Sequence, residues 1–247
     1  MFHIVLTALL VHGAPPAATT STDAEARAAI TTYTARIAVE PEVSSHHYVL
    51  GLAYLRLDDV NAAIVAFTEA TRLAPEDDDG FFALAMAQRR AGQTAAALAS
   101  FAQAIALNSD AAELHFELGL THLQHKQPAA AAAAFTQAVA LQPSYHEAHY
   151  NLGIAYERQA RYVDAITEYT ATLRLHPDHV GATINLARAN VERGFVDDGI
   201  TILRRLLARK PNLADAHYNL SLLYQQSGHK LAALMHLKRY GELVSAD

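Results

Sequence analysis

The sequence contains no cysteine and no tryptophan, and only 8% of its 247 residues are aromatic. The absence of cysteine excludes disulfides, thiolate metal sites, haem attachment through C-x-x-C-H and an N-terminal lipid-anchor cysteine. Hydrophobic residues nevertheless make up 51% of the chain, which at this length is enough for a continuous core. The composition is therefore that of a globular protein held together by packing alone.

Positive charge is also scarce, with 19 Lys and Arg against 25 Asp and Glu, for a net charge of −6. A protein that binds the phosphates of nucleic acid normally has a basic surface, and the sequence contains no cluster of Lys and Arg that would form one. No stretch reaches the run of about eighteen apolar residues that a membrane-spanning helix needs. We therefore expect neither a nucleic-acid partner nor a membrane span, apart from the N-terminal segment described next.

Residues 1–21 read "MFHIVLTALLVHGAPPAATTS" and differ in character from the rest of the chain. An apolar run from Ile4 to Val11 followed by a small-residue and proline-rich stretch resembles a secretory signal peptide and its linker. Two features oppose this interpretation: the first basic residue is Arg27, and Pro15 follows the most obvious cleavage position, Ala14. The sequence slightly favours export to a periplasmic or other extracytoplasmic location over the cytoplasm, the alternative being an ordinary frayed N-terminus.

The dominant feature is an internal repeat with a period of 34 residues. It divides the chain without gaps into the blocks 44–77, 78–111, 112–145, 146–179, 180–213 and 214–247. Position 7 of every block is Leu, positions 8 and 20 are small, position 24 is a large apolar residue, and position 32 is Pro in four blocks. Such self-similarity indicates a repeat architecture.

The recurring residues predict a pair of packed helices in each block. Small residues at positions 8 and 20 allow two helices to cross closely, and Pro at position 32 ends the second helix. Gly92, Gly194 and Gly228 occupy position 15, the turn between paired helices. Pro128 occupies the first position of a second helix, where its missing N–H costs nothing. The spacing predicts helices near 44–57 and 60–73, and at the same offsets in each later block.

This pattern resembles the tetratricopeptide repeat family, whose W-x2-L-G-x2-Y…A-x3-F…P signature it matches in spacing over residues 44–247. The resemblance implies an all-α fold, an α-α superhelix (solenoid) of six helix-turn-helix repeats with a concave inner surface. Residues 22–43 fit a degenerate half-repeat or capping helix at the N-terminal end. One departure recurs: position 4, usually aromatic or leucine, is histidine in four blocks, at His47, His115, His149 and His217.

Histidine pairs raise the question of a metal site, because His146 and His149 flank a glutamate in "HEAHYNL". Their spacing is one residue short of the H-E-x-x-H pattern. The other pairs, His122/His125 and His176/His179, lie at different repeat offsets, so the three pairs are not expected all to converge. We also find no nucleophile elbow, P-loop or dinucleotide fingerprint. The sequence therefore predicts no metal, no cofactor and no enzymatic activity.

The family resemblance places positions 5, 6 and 9 of the first helices on or beside the inner groove. Positions 5 and 9 carry mainly apolar residues, a pattern typical of a partner surface, and position 6 carries asparagine in three successive blocks, which could pair with a peptide backbone. The alternative for this asparagine row is simply that Asn is common there. The predicted partner-binding groove comprises Tyr48, Leu52, Phe82, Met86, Phe116, Leu120, Tyr150, Asn151, Ile154, Ile184, Asn185, Arg188, Tyr218, Asn219 and Leu222.

We therefore expect a non-catalytic scaffold that binds a peptide or helical segment of a partner protein in this groove. The alternative is a regulatory or substrate-presenting subunit of an enzyme encoded elsewhere, which would have one obligate partner. A clamp for acidic chaperone tails is excluded, because position 2 is acidic at Asp79, Glu113, Glu147 and Asp215, where such clamps of this family need lysine. The sequence specifies neither the partner nor the oligomeric state.

Overall fold

The computed structural model describes residues 19–245, which form thirteen α-helices and no strand. The all-α fold is confirmed, whereas most of the predicted signal peptide and linker lies outside the described residues. No helix within 19–245 is both long and apolar enough to cross a membrane. In chain order the helices are α1 Thr19–Val39, α2 Ser44–Arg56, α3 Val60–Leu73, α4 Asp78–Arg90, α5 Thr94–Leu107, α6 Ala112–Gln124, α7 Pro128–Leu141, α8 His146–Glu157, α9 Tyr162–Leu175, α10 Val180–Glu192, α11 Val196–Arg209, α12 Ala214–Gln226 and α13 Lys230–Val244.

The helices follow the 34-residue period of the sequence. The even-numbered helices α2 to α12 begin at Ser44, Asp78, Ala112, His146, Val180 and Ala214, and each is followed by a second helix that begins sixteen residues later. The first pair, Ser44–Arg56 and Val60–Leu73, agrees with the ranges 44–57 and 60–73 predicted from the spacing. The division of the chain into domains at residues 21 and 43 stays a prediction.

The chain divides into two compact units, Met1–Thr121 and His122–Asp247, called here the N-terminal and C-terminal units. Within the N-terminal unit, α1 to α5 pack each against the next in chain order. Its largest fully buried side chains include Phe67, Phe82, Phe101 and Leu114. Neither helix of a pair can bury its apolar face alone, so stacking of successive helices creates the core.

Within the C-terminal unit, α7 to α13 likewise pack each against the next. Its fully buried side chains include Phe135, Leu152, Tyr169, Leu203 and Leu220. Pro128 occupies the first turn of α7, as its position in the repeat predicts. This stacking of helix pairs places the protein in the all-α solenoid class.

Position 8 is small because position 24 packs directly on it. A Cβ built on Gly51 would lie 2.6 Å from Cε1 of Phe67, and one built on Gly153 would lie 2.5 Å from Cε1 of Tyr169. Both distances are far below van der Waals contact, so the ring of the second helix packs directly against the backbone of the first. The recurring small residue at position 8 and large residue at position 24 thus form one helix–helix contact.

The turn between paired helices requires a left-handed residue at position 15. Gly92, Gly194 and Gly228 have φ of 73°, 89° and 80° there. The other three blocks place non-glycine residues in the same conformation, with φ of 63° at Asp58, 57° at Lys126 and 57° at Ala160. Such residues carry a steric cost that glycine does not.

The recurring histidine at position 4 has a structural role. In each case its Nε2 lies 2.9–3.1 Å from the carbonyl oxygen six residues earlier, in the turn that precedes the helix. The four pairs are His47–Pro41, His115–Ser109, His149–Pro143 and His217–Pro211. Because a carbonyl oxygen only accepts hydrogen bonds, Nε2 carries the proton and donates. These histidines therefore tie the turn between successive repeats to the helix that follows.

Candidate functional site

The predicted groove residues of the N-terminal unit differ in accessibility. Tyr48, Leu52, Phe116 and Leu120 are half-buried, and Leu52 lines a pocket of about 390 Å³ between α1 and α2 with Glu25, Ala26, Ala29, Val49, Ala53 and Arg56. Phe82 and Met86 are only 1% and 4% exposed and belong to the core of this unit. These two side chains therefore lie beneath the surface and are not available to a partner in this conformation.

Met86 packs in the core of this unit and is also contacted by a charged residue. Arg89 Nη2 is 3.4 Å from Met86 Sδ and 2.8 Å from Glu117 Oε2. Glu117 is itself 3% exposed, and burial raises the pKa of its carboxyl group, against the opposing effect of Arg89. Arg89, paired with Glu117, therefore lies against the position-9 side chain of α4.

The predicted groove residues of the C-terminal unit are more exposed to solvent. Tyr150, Ile154 and Ile184 are half-buried, whereas Tyr218 and Leu222 on α12 are 42% and 43% exposed. A pocket of about 200 Å³ between α10 and α12 is lined by four predicted residues together with their neighbours: Ile184, Arg188, Asn219, Leu222, Val191, Glu192, Leu203, Leu223 and Gln226. The structure therefore brings Ile184, Arg188, Asn219 and Leu222 together at one site.

The asparagine side chains at position 6 already form some of their hydrogen bonds within the protein. Nδ2 of Asn151 and of Asn219 donates to a backbone carbonyl one turn earlier, Glu147 at 2.8 Å and Asp215 at 2.7 Å. Nδ2 of Asn185 donates to the Tyr150 hydroxyl at 3.3 Å, and its Oδ1 accepts from Arg188 at 3.2 Å. A carboxamide has two N–H groups and an acceptor oxygen, so Asn151 and Asn219 retain hydrogen-bonding capacity toward the surface.

A hydrogen-bonded network centred on Glu157 links helices α8, α9 and α10. Glu157 Oε2 accepts from the Tyr169 hydroxyl at 2.7 Å, and Oε1 accepts from Arg188 Nε at 2.7 Å. Hydrogen bonding to Glu157 raises the pKa of the Arg188 guanidinium. The pKa of Tyr169 is also raised, mainly because its side chain is buried and additionally because the Glu157 carboxylate lies next to it. Sequence reasoning missed Glu157 as a site residue, because the three partners lie at repeat positions 12, 24 and 9 and share no periodic signal.

Three histidines from two of these pairs meet in the C-terminal unit, a contact of His146 with His176 and His179 that the sequence did not indicate. The ring of His146 on α8 stacks on that of His176, with centroids 5.0 Å apart, and His179 lies 6.4 Å from His146 and 5.7 Å from His176. The turn between α9 and α10 carries His176 and His179 back onto the start of α8. Within residues 19–245, no group of three or more His, Asp and Glu residues is arranged to hold a metal ion.

The protonation of His179 is tied to its role as a helix cap. Its Nδ1 accepts from the backbone N–H of Ala182 at 3.0 Å, at the start of α10. Burial lowers the pKa of His179, and the neighbouring His176 and His146 lower it further. A neutral imidazole is therefore favoured here, as the cap requires.

Two further histidine contacts join first and second helices. His149 Nδ1 lies 2.6 Å from Glu168 Oε2, and this hydrogen bond raises the pKa of His149. At the equivalent place 68 positions later, His217 Nδ1 lies 2.9 Å from His236 Nδ1, and burial together with His217 lowers the pKa of His236. The same two repeat positions thus form a histidine–carboxylate contact in one block and a histidine–histidine contact in another.

Comparison with known families agrees with the class defined by the fold, an all-α solenoid of helix pairs. One tetratricopeptide repeat profile matches residues 24–78, 82–146 and 122–180, and a second matches residues 158–223. The chain belongs to the tetratricopeptide repeat family, whose fold is generally a non-catalytic scaffold for protein interactions. No curated protein sequence matches the chain.

Solved structures show the same fold at low sequence identity. The C-terminal part of a TPR repeat-containing protein from Cytophaga hutchinsonii is 17% identical with a TM-score of 0.76, covering 90% of this chain and 92% of that chain. YrrB, a TPR protein described as having an unusual peptide-binding site, is 21% identical with a TM-score of 0.62, covering 72% and 92%. PilW, a type IV pilus biogenesis factor, is 24% identical with a TM-score of 0.64, covering 78% and 90%.

Proposed function

We propose that this protein is a non-catalytic scaffold that binds a peptide or helical segment of another protein on its first helices, with the pocket between α10 and α12 as part of the site. The observation that carries the proposal is the exposure of Tyr218 and Leu222, at 42% and 43%, beside that pocket. Large apolar side chains grouped on a surface mark interaction sites more often than single exposed ones do. The peptide-binding site described for the similar fold of YrrB supports the same use of the fold.

The chemistry of the pocket favours a segment with one apolar anchor. Ile184, Leu203 and Leu222 offer apolar walls, and an apolar or aromatic side chain held in such a pocket contributes most of an interface's energy. Arg188 is already paired with Glu157, so it need not bind a partner's carboxylate. Asn219 lines the same pocket, where its free hydrogen-bonding capacity suits the backbone of an extended peptide.

The proposal is tested by selecting random phage-displayed peptides on the immobilised protein and measuring the affinity of the selected peptides by fluorescence polarisation. Ile184→Ala combined with Leu222→Ala should weaken binding at least tenfold, because truncation of a central apolar contact typically costs about 1–4 kcal/mol. Circular dichroism should show an unchanged helical spectrum. Asn219→Ala should weaken all selected peptides by a similar, smaller factor, since it contacts backbone.

The matched control is Val163→Ala, which truncates a 59% exposed residue on the second helix α9. It should leave the affinity of every selected peptide unchanged. Peptides that bind the Ile184→Ala/Leu222→Ala protein normally but lose affinity for Val163→Ala would show that the partner sits on the second helices. Failure to select any peptide that binds the parent protein would also contradict the proposal.

A further inference from the structure

Glu192 carries an uncompensated negative charge at the edge of the pocket between α10 and α12. It lines that pocket, its side chain is exposed, and it is the last residue of α10. A negative charge at this end of a helix is unfavourable, because the C-terminal end of the helix macrodipole is itself negative. Within residues 19–245, no Lys, Arg or His forms an ion pair with the Glu192 carboxylate.

The two arginines nearest to Glu192 in the chain have other partners. Arg188, one turn earlier on α10, donates to Glu157 at 2.7 Å. Arg193, the next residue, holds its guanidinium over the ring of Phe195, with Cζ 5.0 Å from the ring centroid. Neither cation therefore neutralises Glu192 in this structure.

The repeat makes this carboxylate unusual. Glu192 occupies position 13 of its block, and three other blocks have arginine there. Each of these arginines contacts the structure that precedes it: Arg56 Nε lies 3.8 Å from Asp23 Oδ1, Arg90 Nη2 lies 2.6 Å from Asp58 Oδ1, and Arg158 Nη1 donates to the carbonyl oxygen of Leu123 at 2.9 Å. A cation suits the C-terminal end of a helix, so Glu192 reverses the charge that the fold most often places at this position.

We propose that the segment bound in this pocket carries a Lys or Arg side chain close to its apolar anchor, and that Glu192 pairs with that cation. The inference rests on the proposed function and adds the chemistry of the partner. Charge complementarity supports it, because a cation at this place is favoured both by the Glu192 carboxylate and by the negative end of the α10 dipole. An acidic residue at the same place in the partner would be repelled, so Glu192 also selects against acidic segments.

The helix geometry also sets the spacing between the anchor and the basic residue. Ile184, Arg188 and Glu192 follow one another at intervals of four residues, so they lie along one side of α10. At 1.5 Å per residue, Glu192 lies about 6 Å beyond Arg188 and about 12 Å beyond Ile184. An extended peptide advances about 3.3 Å per residue. The basic residue should therefore lie about two to four positions from the apolar anchor.

The exposure of Glu192 limits how much this pair adds to affinity. Ion pairs at a solvent-exposed surface are weak, and we expect a contribution of about two- to fivefold in the dissociation constant. Salt screens such a pair. The apolar anchor therefore supplies most of the affinity, and Glu192 determines which segments are preferred.

Random phage-displayed peptides selected on the intact protein test the inference. The selected peptides should carry Lys or Arg about two to four positions from a shared apolar residue more often than the unselected library does. In one such peptide, replacement of that base by Gln should raise the dissociation constant about two- to fivefold in fluorescence polarisation at low salt. The difference should shrink at high salt, because the pair is screened.

A double-mutant cycle assigns the effect to Glu192. Glu192→Gln should weaken the basic peptide by the same factor, and should cause no further loss for the peptide whose base is already Gln. Glu76→Gln is the matched control: it removes the same charge from an exposed residue in the turn before α4 and should leave the affinity of both peptides unchanged. Circular dichroism melting should show that both variants stay folded.

The outcomes separate this inference from the proposed function. Peptides that depend on Ile184 and Leu222 but lack a basic residue, or that bind Glu192→Gln as tightly as the parent, overturn the inference and leave the proposed function intact. An equal loss in Glu76→Gln also overturns it, because the effect then comes from net charge. Failure to select any peptide, or normal binding to Ile184→Ala/Leu222→Ala, contradicts the proposed function and this inference with it.

Discussion

Gly153 and Tyr169 form a close helix–helix contact, since a Cβ on Gly153 would lie 2.5 Å from Cε1 of the tyrosine ring. The ring cannot easily withdraw, because its hydroxyl donates to Glu157 at 2.7 Å and the side chain is fully buried. The contact holds α8 against α9 directly beneath the Glu157–Arg188 pair.

Gly153→Ala should therefore lower the free energy of unfolding by roughly 1–3 kcal/mol, the usual cost of overpacking a closely packed core. Gly241→Ala is the matched helical control: a Cβ there meets nothing within 4 Å, and Ala should stabilise the helix by up to about 1 kcal/mol. Urea denaturation at low protein concentration measures both. Equal effects of the two substitutions would mean that the Gly153 contact is not tight.

The left-handed turn residues predict a stabilising substitution. Ala160 adopts φ of 57° at a position where Gly194 adopts 89°. Ala160→Gly should increase the free energy of unfolding by about 1 kcal/mol, because glycine has no Cβ clash in this region. The reciprocal change, Gly194→Ala, should decrease it by a similar amount in urea denaturation. A loss of stability in Ala160→Gly would contradict the assignment of strain to this turn.

The histidines predict opposite effects of acid on the C-terminal unit. The pKa of His179 is lowered in the folded state, so its contribution to stability is present above the unfolded value of about 6.5 and is lost as the pH falls toward the folded pKa. Protonation also removes the acceptor that caps Ala182. His179→Asn keeps a capping oxygen and does not titrate, so its melting temperature should fall less than that of the parent between neutral and mildly acidic pH.

His149 should behave in the opposite way. Its pKa is raised by Glu168, so the stability it contributes is fully present below about 6.5 and is lost as the pH rises through the folded pKa. The melting temperature of His149→Gln should therefore lie further below that of the parent at mildly acidic pH than at alkaline pH. A difference that is constant with pH would show that the His149–Glu168 contact is not an ion pair.

The histidine cluster of the C-terminal unit also predicts a result with chelators. Because no group of His, Asp and Glu in residues 19–245 is arranged to hold a metal ion, EDTA should leave the melting temperature of the purified protein unchanged. Differential scanning fluorimetry with and without EDTA measures this. A clear fall that zinc restores, and that His146→Gln abolishes, would show that His146, His176 and His179 bind a metal after rearrangement.

The helix pairs were predictable because their determinants are local and periodic. Leucine at position 7, small residues at positions 8 and 20, and the large residue at position 24 recur in one register, so the sequence by itself specified which residues form each helix and which face is buried. The turn glycines followed from the same alignment. The recurring histidine at position 4 was visible as a pattern, but its hydrogen bond to the preceding turn was not.

Only the tertiary structure decided which groove positions are accessible. Met86 and Leu222 share repeat position 9, yet the first is 4% and the second 43% exposed. Met86 packs in a core cluster with Phe101 and Leu114 of the next two helices, and Arg89, paired with Glu117, also contacts it. On α12, Gln225, at the repeat position of Arg89, is itself exposed. The sequence determines the repeat position of a residue, while its accessibility depends on side chains contributed by adjacent repeats, because exposure is a property of packing and not of period.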